Sequence, residues 1–335
     1  MAFELVVNTD VDLHSGESTQ YLEIENMTTQ TNTPFTLAWA GTGRMGYAMA
    51  ERLLTAGHEL LVWNRTKSKA EPLEKQGARI ANRLQDLGER DIVFVISATG
   101  HEVKQLLFGS EGLLSGINKP KMVIDLTSMS PEDSSEIRKQ LDEMGIAFIA
   151  APVSGNAKVI KAGKLSIVAS GPNTIFLDAA PYLRSIGQTV TYVGEGELAR
   201  IAKICHNVML GVVTQNLSEI LILAQSFGMK RSDFLNFLNQ SVMGSVFTRY
   251  KAPALTHLDF EVTFTPKLML KDLDLGLSAA RQAGVPMPTT STTRDQVQTL
   301  IGHGFDQDFS QLLLLEALAA GLELEPEDTE IDDGL

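Results

Sequence analysis

The sequence contains only one cysteine, Cys205, among its 335 residues. A single cysteine excludes an internal disulfide and any metal site built from several thiolates, and it is typical of a reducing compartment. The histidines are scattered without metal-ligand spacing, so we expect no metal centre. No apolar run approaches the roughly 20 residues that a membrane span needs, and the first residues lack the basic and apolar stretches of a targeting signal. We therefore expect a cytoplasmic protein that has no membrane partner.

Positive charge is nowhere in excess. The net charge is −13, but residues 1–34 carry six acidic residues and no Lys or Arg, and residues 323–335 carry seven acidic residues and no base. Between these ends the remaining 28 acidic residues equal the 28 Lys and Arg. A nucleic-acid-binding face needs an excess of basic residues, so we expect no nucleic-acid partner. We interpret residues 1–34 as a polar, acidic N-terminal extension and residues 323–335 as a solvated acidic tail.

Between the two ends, short apolar runs alternate with helical patterns. The runs that predict strands are residues 35–40, 59–63, 91–97, 122–126 and 146–150. This alternation is typical of a doubly wound parallel sheet of the Rossmann type. Two further strand-like runs, at 165–169 and 189–193, are predicted to extend the same sheet.

The second half of the chain has a helical pattern throughout. Residues 198–227 are apolar at most positions and contain no proline, which predicts a buried helix of about 45 Å. Further helices are predicted at 231–240, 266–283, 290–302 and 309–321. The fold class is therefore α/β, with a Rossmann domain over residues 35–195 and an all-helical C-terminal domain over 196–322. The apolar long helix also predicts pairing with further copies of the chain, in a homodimer or homotetramer.

A glycine-rich loop directly follows the first predicted strand, and a helical pattern follows the loop. Its residues with candidate cofactor contacts are Gly41, Gly43, Arg44, Met45 and Gly46. The first glycine permits a tight turn, the second lets the backbone approach a pyrophosphate, and the third lets the helix pack closely on the strand. A strand before the loop and a helix after it are the context that a dinucleotide site requires.

The end of the second strand indicates which dinucleotide binds. NAD-binding proteins usually have Asp or Glu at this position to accept hydrogen bonds from the ribose. This chain has Asn64, Arg65 and Thr66 instead, so no carboxylate repels a 2′-phosphate and a guanidinium is available to bind one. NADPH is therefore favoured over NADH. The alternative is that Arg65 only faces solvent at the end of a strand.

Five motifs in fixed order support a more specific assignment. They are the glycine loop with the Trp-Asn-Arg-Thr run at 63–66, Asp-Leu-Thr-Ser-Met-Ser-Pro at 125–131, Ala-Pro-Val-Ser-Gly at 151–155, Lys-Ile-Cys-His-Asn at 203–207, and Lys-Asp at 271–272. Together they resemble the β-hydroxyacid dehydrogenase family, which includes 3-hydroxyisobutyrate dehydrogenase, tartronate semialdehyde reductase, glyoxylate/succinic semialdehyde reductases and 6-phosphogluconate dehydrogenase. The resemblance covers about residues 35–320.

The resemblance implies a role for each motif. Ser154 and Gly155 would hold the carboxylate of the substrate, Lys203 would be the catalytic acid and base, Asn207 would position the substrate, Lys271 would lie beside the nicotinamide, and Ser128 would lie near its ribose. The chemistry agrees with the role of the lysine. A hydride delivered to a carbonyl leaves an alkoxide, and an ammonium both stabilises that charge and supplies the missing proton. Lys203 and Asn207 are also spaced i and i+4, so they share one helix face.

The chain departs from the family pattern at several positions near the substrate, which include Val159 and Ile160 where glycine and alanine are common. Ala150 stands where Asp is common before the Ala-Pro-Val-Ser run, and Asn156 replaces the second glycine of a Ser-Gly-Gly loop, which adds an amide to the substrate pocket. His206 replaces the first of two paired asparagines. This imidazole either shapes the substrate pocket or, when charged, depresses the pKa of Lys203; the alternative is that it only packs on the flank of its helix. These departures leave the identity of the substrate open.

The sequence thus predicts an oxidoreductase that transfers a hydride from NADPH to a small semialdehyde or 2-oxo acid. The substrates considered first are glyoxylate, succinic semialdehyde and methylmalonate semialdehyde. One alternative is an imine reductase, a class with a similar N-terminal half, but Lys203 disfavours it because such enzymes lack that lysine. Another is a non-catalytic NADPH-binding module that serves assembly, although Lys203 and Ser154 are both present.

Overall fold

The computed structural model describes residues 34–334, and from Thr36 onwards the chain forms one compact unit. Apart from its last residue, the predicted N-terminal extension lies outside the described residues. The strands of the main sheet are β1 (Leu37–Ala40), β2 (Leu60–Trp63), β3 (Arg79–Ile80), β4 (Ile92–Val95), β5 (Met122–Asp125) and β6 (Ala147–Ala150).

The main sheet is parallel throughout, in the order β3-β2-β1-β4-β5-β6. This is the strand order of doubly wound dinucleotide-binding sheets. Every residue of β1, β4 and β5 is buried, so both faces of the sheet are covered. The sequence therefore correctly predicted five of the six strands. It missed β3, whose two residues are too short to show a pattern.

Five helices accompany this part of the chain: α1 (Arg44–Thr55), α2 (Gly100–Phe108), α3 (Pro131–Glu143), α4 (Ala157–Lys161) and α5 (Asn173–Ile186). A second sheet has three strands, β7 (Val153–Ser154), β8 (Ser166–Ala169) and β9 (Thr189–Tyr192). The prediction that the last two runs extend the main sheet is wrong. β8 pairs antiparallel with β7, and a single antiparallel bridge between Ala150 and Ser170 joins this region to the end of β6, so the parallel ladder cannot continue.

The remaining helices are α6 (Leu198–Ser226), α7 (Arg231–Gln240), α8 (Val246–His257), α9 (Pro266–Ala283), α10 (Pro288–Gly302) and α11 (Leu312–Ala319). The sequence predicts helical structure throughout this half but gives no bounds for α8. This helix contains Pro253, a residue that normally interrupts a helical pattern. The side chain of Ser245 starts this helix by accepting a hydrogen bond from the backbone of Thr248.

Helix α6 is central to the fold, because α3, α9, α10, α11 and β8 all contact it. By length and composition it could cross a membrane, contrary to the expectation that no apolar run approaches that length. Half of its most apolar window is nevertheless buried against the rest of the protein, as in the core helix of a packed domain. Its 29 residues include Lys203 and Asn207, two of the residues predicted for the site.

The C-terminal segment is not a solvated tail, and that interpretation is wrong. The carboxylate of Glu327 accepts hydrogen bonds from the backbone N–H groups of Arg231 (2.8 Å) and Ser232 (3.0 Å), at the beginning of α7. Leu324 and Ile331 pack against the apolar core between α6, α7 and α8. Apolar residues between the acidic ones, together with a carboxylate at a helix N-terminus, therefore hold this segment on the body.

Candidate functional site

A cavity of about 320 Å³ lies at the carboxyl ends of β4 and β5, where they meet α6 and α9. Ligands of doubly wound sheets bind at this edge of the sheet. The cavity walls come from the glycine loop, the segments after β4 and β5, the loop before α4, one face of α6, the segment before α9, and α9 itself. The cavity thus unites residues that are far apart in the sequence.

Some of the residues predicted for the site line this cavity and others do not. Those that line it are Arg44, Met45, Ser128, Gly155, Asn156, Lys203, Asn207 and Lys271. Those outside the lining are Gly41, Gly43, Gly46, Asn64, Arg65, Thr66, Ser154 and His206. The second group lies around the glycine loop, at the end of β2, or just behind the first group.

The glycine loop has the geometry that a pyrophosphate requires. Gly41 has a φ of 104°, and a side chain there would collide with the backbone of Ile96. Gly43 has open space where a Cβ would lie, so a ligand can approach its backbone closely. Gly43 also caps α1 without a side-chain hydrogen bond, which leaves the first N–H groups of the helix available to an anion. The residues present therefore fit a dinucleotide.

At the end of β2, Asn64 braces the glycine loop. Its Oδ1 accepts a hydrogen bond from the backbone N–H of Thr42 (2.8 Å), and its Nδ2 donates to the carbonyl of Thr66 (2.9 Å). The Arg65 and Thr66 side chains are exposed beside the loop. Asn64 therefore shapes the site mainly through the backbone, and Arg65 is the group there that can pair with a phosphate.

Lys203 and Asn207 project from one face of α6 into the cavity, and both are buried. Burial lowers the pKa of Lys203 to about 8, and the Lys271 ammonium adds to this effect while the Asp272 carboxylate opposes it. An ammonium with this pKa loses its proton much more readily than an ordinary lysine near neutral pH. The geometry thus supplies a proton donor at the cavity wall.

Lys271 connects the two sides of the cavity. Its Nζ lies 3.4 Å from the carbonyl oxygen of Ser128, which follows β5, and 3.3 Å from Oδ1 of Asp272. The two residues that the family resemblance assigns to the nicotinamide end of the cofactor therefore contact each other in the cavity lining.

That loop presents one free donor. The Oδ1 of Asn156 accepts a hydrogen bond from the backbone of Val159 (3.0 Å) and caps α4, while its Nδ2 is buried and has no partner within residues 34–334. Gly155 has a φ of 143°, and a side chain there would press on Val159 and Leu165. The loop therefore offers backbone and amide donors suited to a carboxylate or carbonyl oxygen.

A chain of polar contacts runs from the cavity lining to His206 and Ser154. Asn207 Nδ2 donates to Oδ2 of Asp272 (2.5 Å), the Nδ1 of His206 lies 2.9 Å from Asn207 Oδ1, and the Nε2 of His206 lies 2.8 Å from Ser154 Oγ. His206 therefore contacts two of the residues predicted to hold the substrate. It does more than pack on the flank of its helix.

Sequence reasoning missed a buried ion pair that supports the site. Arg200, one turn before Lys203, pairs with Asp125 at the end of β5, and both side chains are completely buried. Its guanidinium also donates to the carbonyl of Thr127 (2.5 Å) and to Ser134 Oγ (3.0 Å). The pair fixes α6 against the cavity-lining segment after β5. The position of charged Arg200 on an apolar helix was the one feature of the sequence that could have indicated this pair.

Sequence reasoning also missed the segment before α9, for which no motif exists. Residues 261–264 line the cavity. Arg44 of the glycine loop donates to the carbonyl of Val262 (2.8 Å), and Lys158 of α4 pairs with Glu261 (3.3 Å). This segment therefore closes one side of the cavity over the cofactor loop.

The charge of the cavity favours anions. Four basic side chains line it, against two acidic ones: Arg44, Lys158, Lys203 and Lys271 against Glu261 and Asp272. A dinucleotide and a carboxylate substrate are both anions that such a lining attracts. Within residues 34–334 no group of three or more His, Cys, Asp or Glu is placed to hold a metal ion.

Comparisons with known proteins agree with this geometry. Residues 36–194 match the family described as the NAD binding domain of 6-phosphogluconate dehydrogenase, and residues 197–315 match the NAD-binding family of NADP-dependent 3-hydroxyisobutyrate dehydrogenase. Glyoxylate/succinic semialdehyde reductase 2 of Arabidopsis thaliana is 28% identical over 85% of this chain and 79% of its own length. The uncharacterised oxidoreductase YfjR of Bacillus subtilis is 32% identical over 83% of this chain and 98% of its own.

A solved structure also has this fold. The crystal structure of 3-hydroxyisobutyrate dehydrogenase from Salmonella typhimurium superimposes with a TM-score of 0.76 and 23% identity. The match covers 84% of this chain and 99% of that one. The Rossmann sheet and the helical half are therefore both shared with that protein.

Proposed function

Because this chain belongs to the β-hydroxyacid dehydrogenase family, we propose that it is an NADPH-dependent reductase of small aldehydes or 2-oxo acids that carry a carboxylate. The substrates in view are glyoxylate, succinic semialdehyde and methylmalonate semialdehyde. The observation that carries this proposal is Lys203. It is a buried lysine with a pKa of about 8, in a cationic cavity that meets both the glycine loop and the donors before α4.

In this proposal the residues of the cavity divide the work of reduction. Bound NADPH supplies the hydride. The Lys203 ammonium donates a proton to the oxygen of the substrate carbonyl as negative charge develops there. Gly155 and Asn156 bind the carboxylate of the substrate, and Asn207 holds the carbonyl near Lys203. Asn207 is suited to this because Asp272 and His206 fix the orientation of its amide.

The proposed preference for NADPH rests on the end of β2. The exposed Arg65 guanidinium lies where NAD-binding proteins usually present a carboxylate to the ribose. A guanidinium can pair with the additional phosphate of NADPH through two hydrogen bonds, and no acidic residue at this strand end repels it. The description of the second matching family as NADP-dependent supports the same choice.

The choice of substrate rests on charge and on one relative. Basic residues outnumber acidic ones in the cavity, so a carboxylate binds there more favourably than a neutral aldehyde. The Arabidopsis relative is named for glyoxylate and succinic semialdehyde. An imine reductase is disfavoured because Lys203 is present.

A substrate panel tests the proposed function. The full-length protein is mixed with NADPH and with each of the three carboxylate substrates in turn, and loss of nicotinamide absorbance is followed. Propanal serves as the aldehyde without a carboxylate. We expect at least one carboxylate substrate to be reduced with a higher kcat/KM than propanal. Binding of NADPH without reduction of any of these compounds would instead support the non-catalytic module.

The proposed assembly is a homodimer or homotetramer formed through α6. One side of this helix exposes apolar residues towards both of its ends: Leu198, Ile201, Met209, Leu223 and, just after it, Phe227. An apolar face of this kind on one helix is suited to the same face on a second copy, because a two-fold axis brings identical surfaces together.

A further inference from the structure

Four side chains at the cavity, two of which line it, form one continuous chain of hydrogen bonds. It runs from Asp272 on α9, through Asn207 and His206 on α6, to Ser154 on β7. All three distances, 2.5, 2.9 and 2.8 Å, are those of direct hydrogen bonds. The chain joins the residue predicted to position the carbonyl with the residue predicted to hold the carboxylate.

The chemistry of the groups fixes the direction of each bond. A carboxylate only accepts, so Asn207 must turn its Nδ2 to Asp272 and its Oδ1 to His206. An amide oxygen also only accepts, so Nδ1 of His206 carries a hydrogen. In a neutral imidazole the other nitrogen then has none. The Nε2 of His206 must accept, and the hydroxyl hydrogen of Ser154 points at it.

We propose that protonation of His206 switches Ser154 from a donor to the imidazole into a donor to the carboxylate of the substrate. In the doubly protonated ring both nitrogens donate, so Nε2–H donates to Ser154 Oγ and the hydroxyl hydrogen is released. Ser154 immediately precedes Gly155 and Asn156, which line the cavity. The inference rests on the proposed function because it requires a carboxylate substrate. His206 acts through Ser154 and is therefore a positioning residue.

The charges around His206 set the pH at which this switch operates. Lys203 lies on the same helix, Lys271 and Asp272 come from α9, and Lys158 and Glu261 lie across the cavity. Partial removal from water and the Lys203 ammonium lower the pKa of His206, while its hydrogen bond with Asn207 opposes the change. The free protein at neutral pH therefore holds the neutral ring, and Ser154 donates to it.

The sign of the coupling follows from this arrangement. A carboxylate binds better to the protonated form, so binding takes up a proton and raises the pKa of His206. The KM for a carboxylate substrate should consequently fall as the pH decreases towards the pKa of His206. The change is limited to about tenfold per pH unit, because one proton is coupled to one binding event. A neutral aldehyde should show no such dependence.

The first experiment measures the tautomer and the pKa of His206 in the absence of catalytic turnover. Full-length protein labelled with ¹⁵N-histidine is studied by long-range ¹H–¹⁵N NMR, and His206→Asn assigns the signal. We expect the Nδ1–H tautomer at neutral pH. We also expect the pKa of His206 to rise when glycolate is added to the NADP⁺ complex, but not in Ser154→Ala. An Nε2–H tautomer, or a pKa that glycolate leaves unchanged, would overturn the inference and leave the reductase proposal standing.

The second experiment measures KM against pH for glyoxylate and for propanal. For the unaltered protein, KM for glyoxylate should rise with pH above the pKa of His206. Over the pH range in which Lys203 stays protonated, His206→Asn should make this profile flat, since an amide can still bond to Ser154 but cannot titrate. The matched control is His101→Asn, at an exposed histidine in the first turn of α2, and it should keep the original profile. A pH dependence that survives in His206→Asn would contradict the proposal.

Discussion

Lys203 is a buried lysine, and its burial determines the pH at which it loses its charge. Its pKa of about 8 means that the ammonium predominates at neutral pH and is lost as the pH rises through that value. Reduction needs the protonated form as an acid, whereas oxidation of the hydroxy acid needs the neutral amine as a base.

We therefore predict that kcat for reduction is constant at neutral pH and falls in alkaline solution as Lys203 loses its proton, while kcat for oxidation rises over the same range. Saturating substrate separates this effect from the dependence of KM on His206. The measurement is kcat against pH in both directions. Parallel profiles for the two directions would contradict the assignment of Lys203.

A substitution of Arg65 tests the proposed preference for NADPH. Replacing it with Ala removes a charge-assisted contact with the 2′-phosphate, which should erode the preference for NADPH over NADH by about 1.5–3 kcal/mol. The measurement is the ratio of kcat/KM for the two cofactors. Arg184→Ala, at an exposed arginine of α5, is the matched control and should leave the ratio unchanged. Equal use of both cofactors by the unaltered protein would contradict the proposed preference.

At the scale of the element, the C-terminal segment depends on one carboxylate. Burial opposes the ionisation of Glu327, but hydrogen bonds from Ser232 and Arg231 outweigh it and hold the pKa of this group below its usual value. A depressed pKa means that the stabilisation is present above the pKa of the unfolded chain and is lost as the pH falls through the folded value.

Glu327→Ala should lower the free energy of unfolding by about 1.5–3 kcal/mol at neutral pH, because it leaves backbone donors at the start of α7 unpaired. Urea unfolding measures this change. Glu330→Ala removes an exposed acid from the same segment and should have almost no effect. The difference between the two variants should shrink in acid, and a difference independent of pH would argue against the ionised form of Glu327.

Some of the secondary-structure elements could be predicted from the sequence and others could not. Strong local patterns predicted the strands β1, β2, β4, β5 and β6, the glycine loop and the long helix α6, because each has its own periodicity or turn chemistry. The separate second sheet depends on a reversal of the chain after β6, and such a reversal leaves no periodic signal. The contacts of Glu327 and of Arg200 depend on partners far away in sequence. Local patterns cannot reveal them.

In the site, too, local patterns were predictable and contacts between distant residues were not. The predicted residues Lys203, Asn207 and Asn156 line one cavity, since helix spacing and motif order carry that information. The contact between His206 and Ser154 was not predictable, because it requires the distance between α6 and β7. For the same reason the hydrogen bond by which Asn64 braces the glycine loop was not predictable.

At the scale of the whole molecule, the exposed apolar face of α6 predicts association. Met209 and Leu223 are 68% and 59% exposed on this face. Met209→Glu combined with Leu223→Glu should therefore convert a dimer or tetramer into monomers, because two charges per chain would be buried without partners. Sedimentation velocity measures the outcome. Leu177→Glu, at an exposed leucine of α5, is the control. A monomeric unaltered protein would contradict the proposed assembly.

The account as a whole depends on Lys203 as the proton donor to the reduced carbonyl. The most direct test is a single turnover in which NADPH-loaded protein is mixed with saturating glyoxylate and the nicotinamide absorbance is followed. Lys203→Ala should slow this step by roughly 100- to 10,000-fold while leaving NADPH affinity nearly unchanged, and Lys139→Ala, at an exposed lysine of α3, should match the unaltered protein. A Lys203→Ala protein that oxidises NADPH at the original rate would contradict the account.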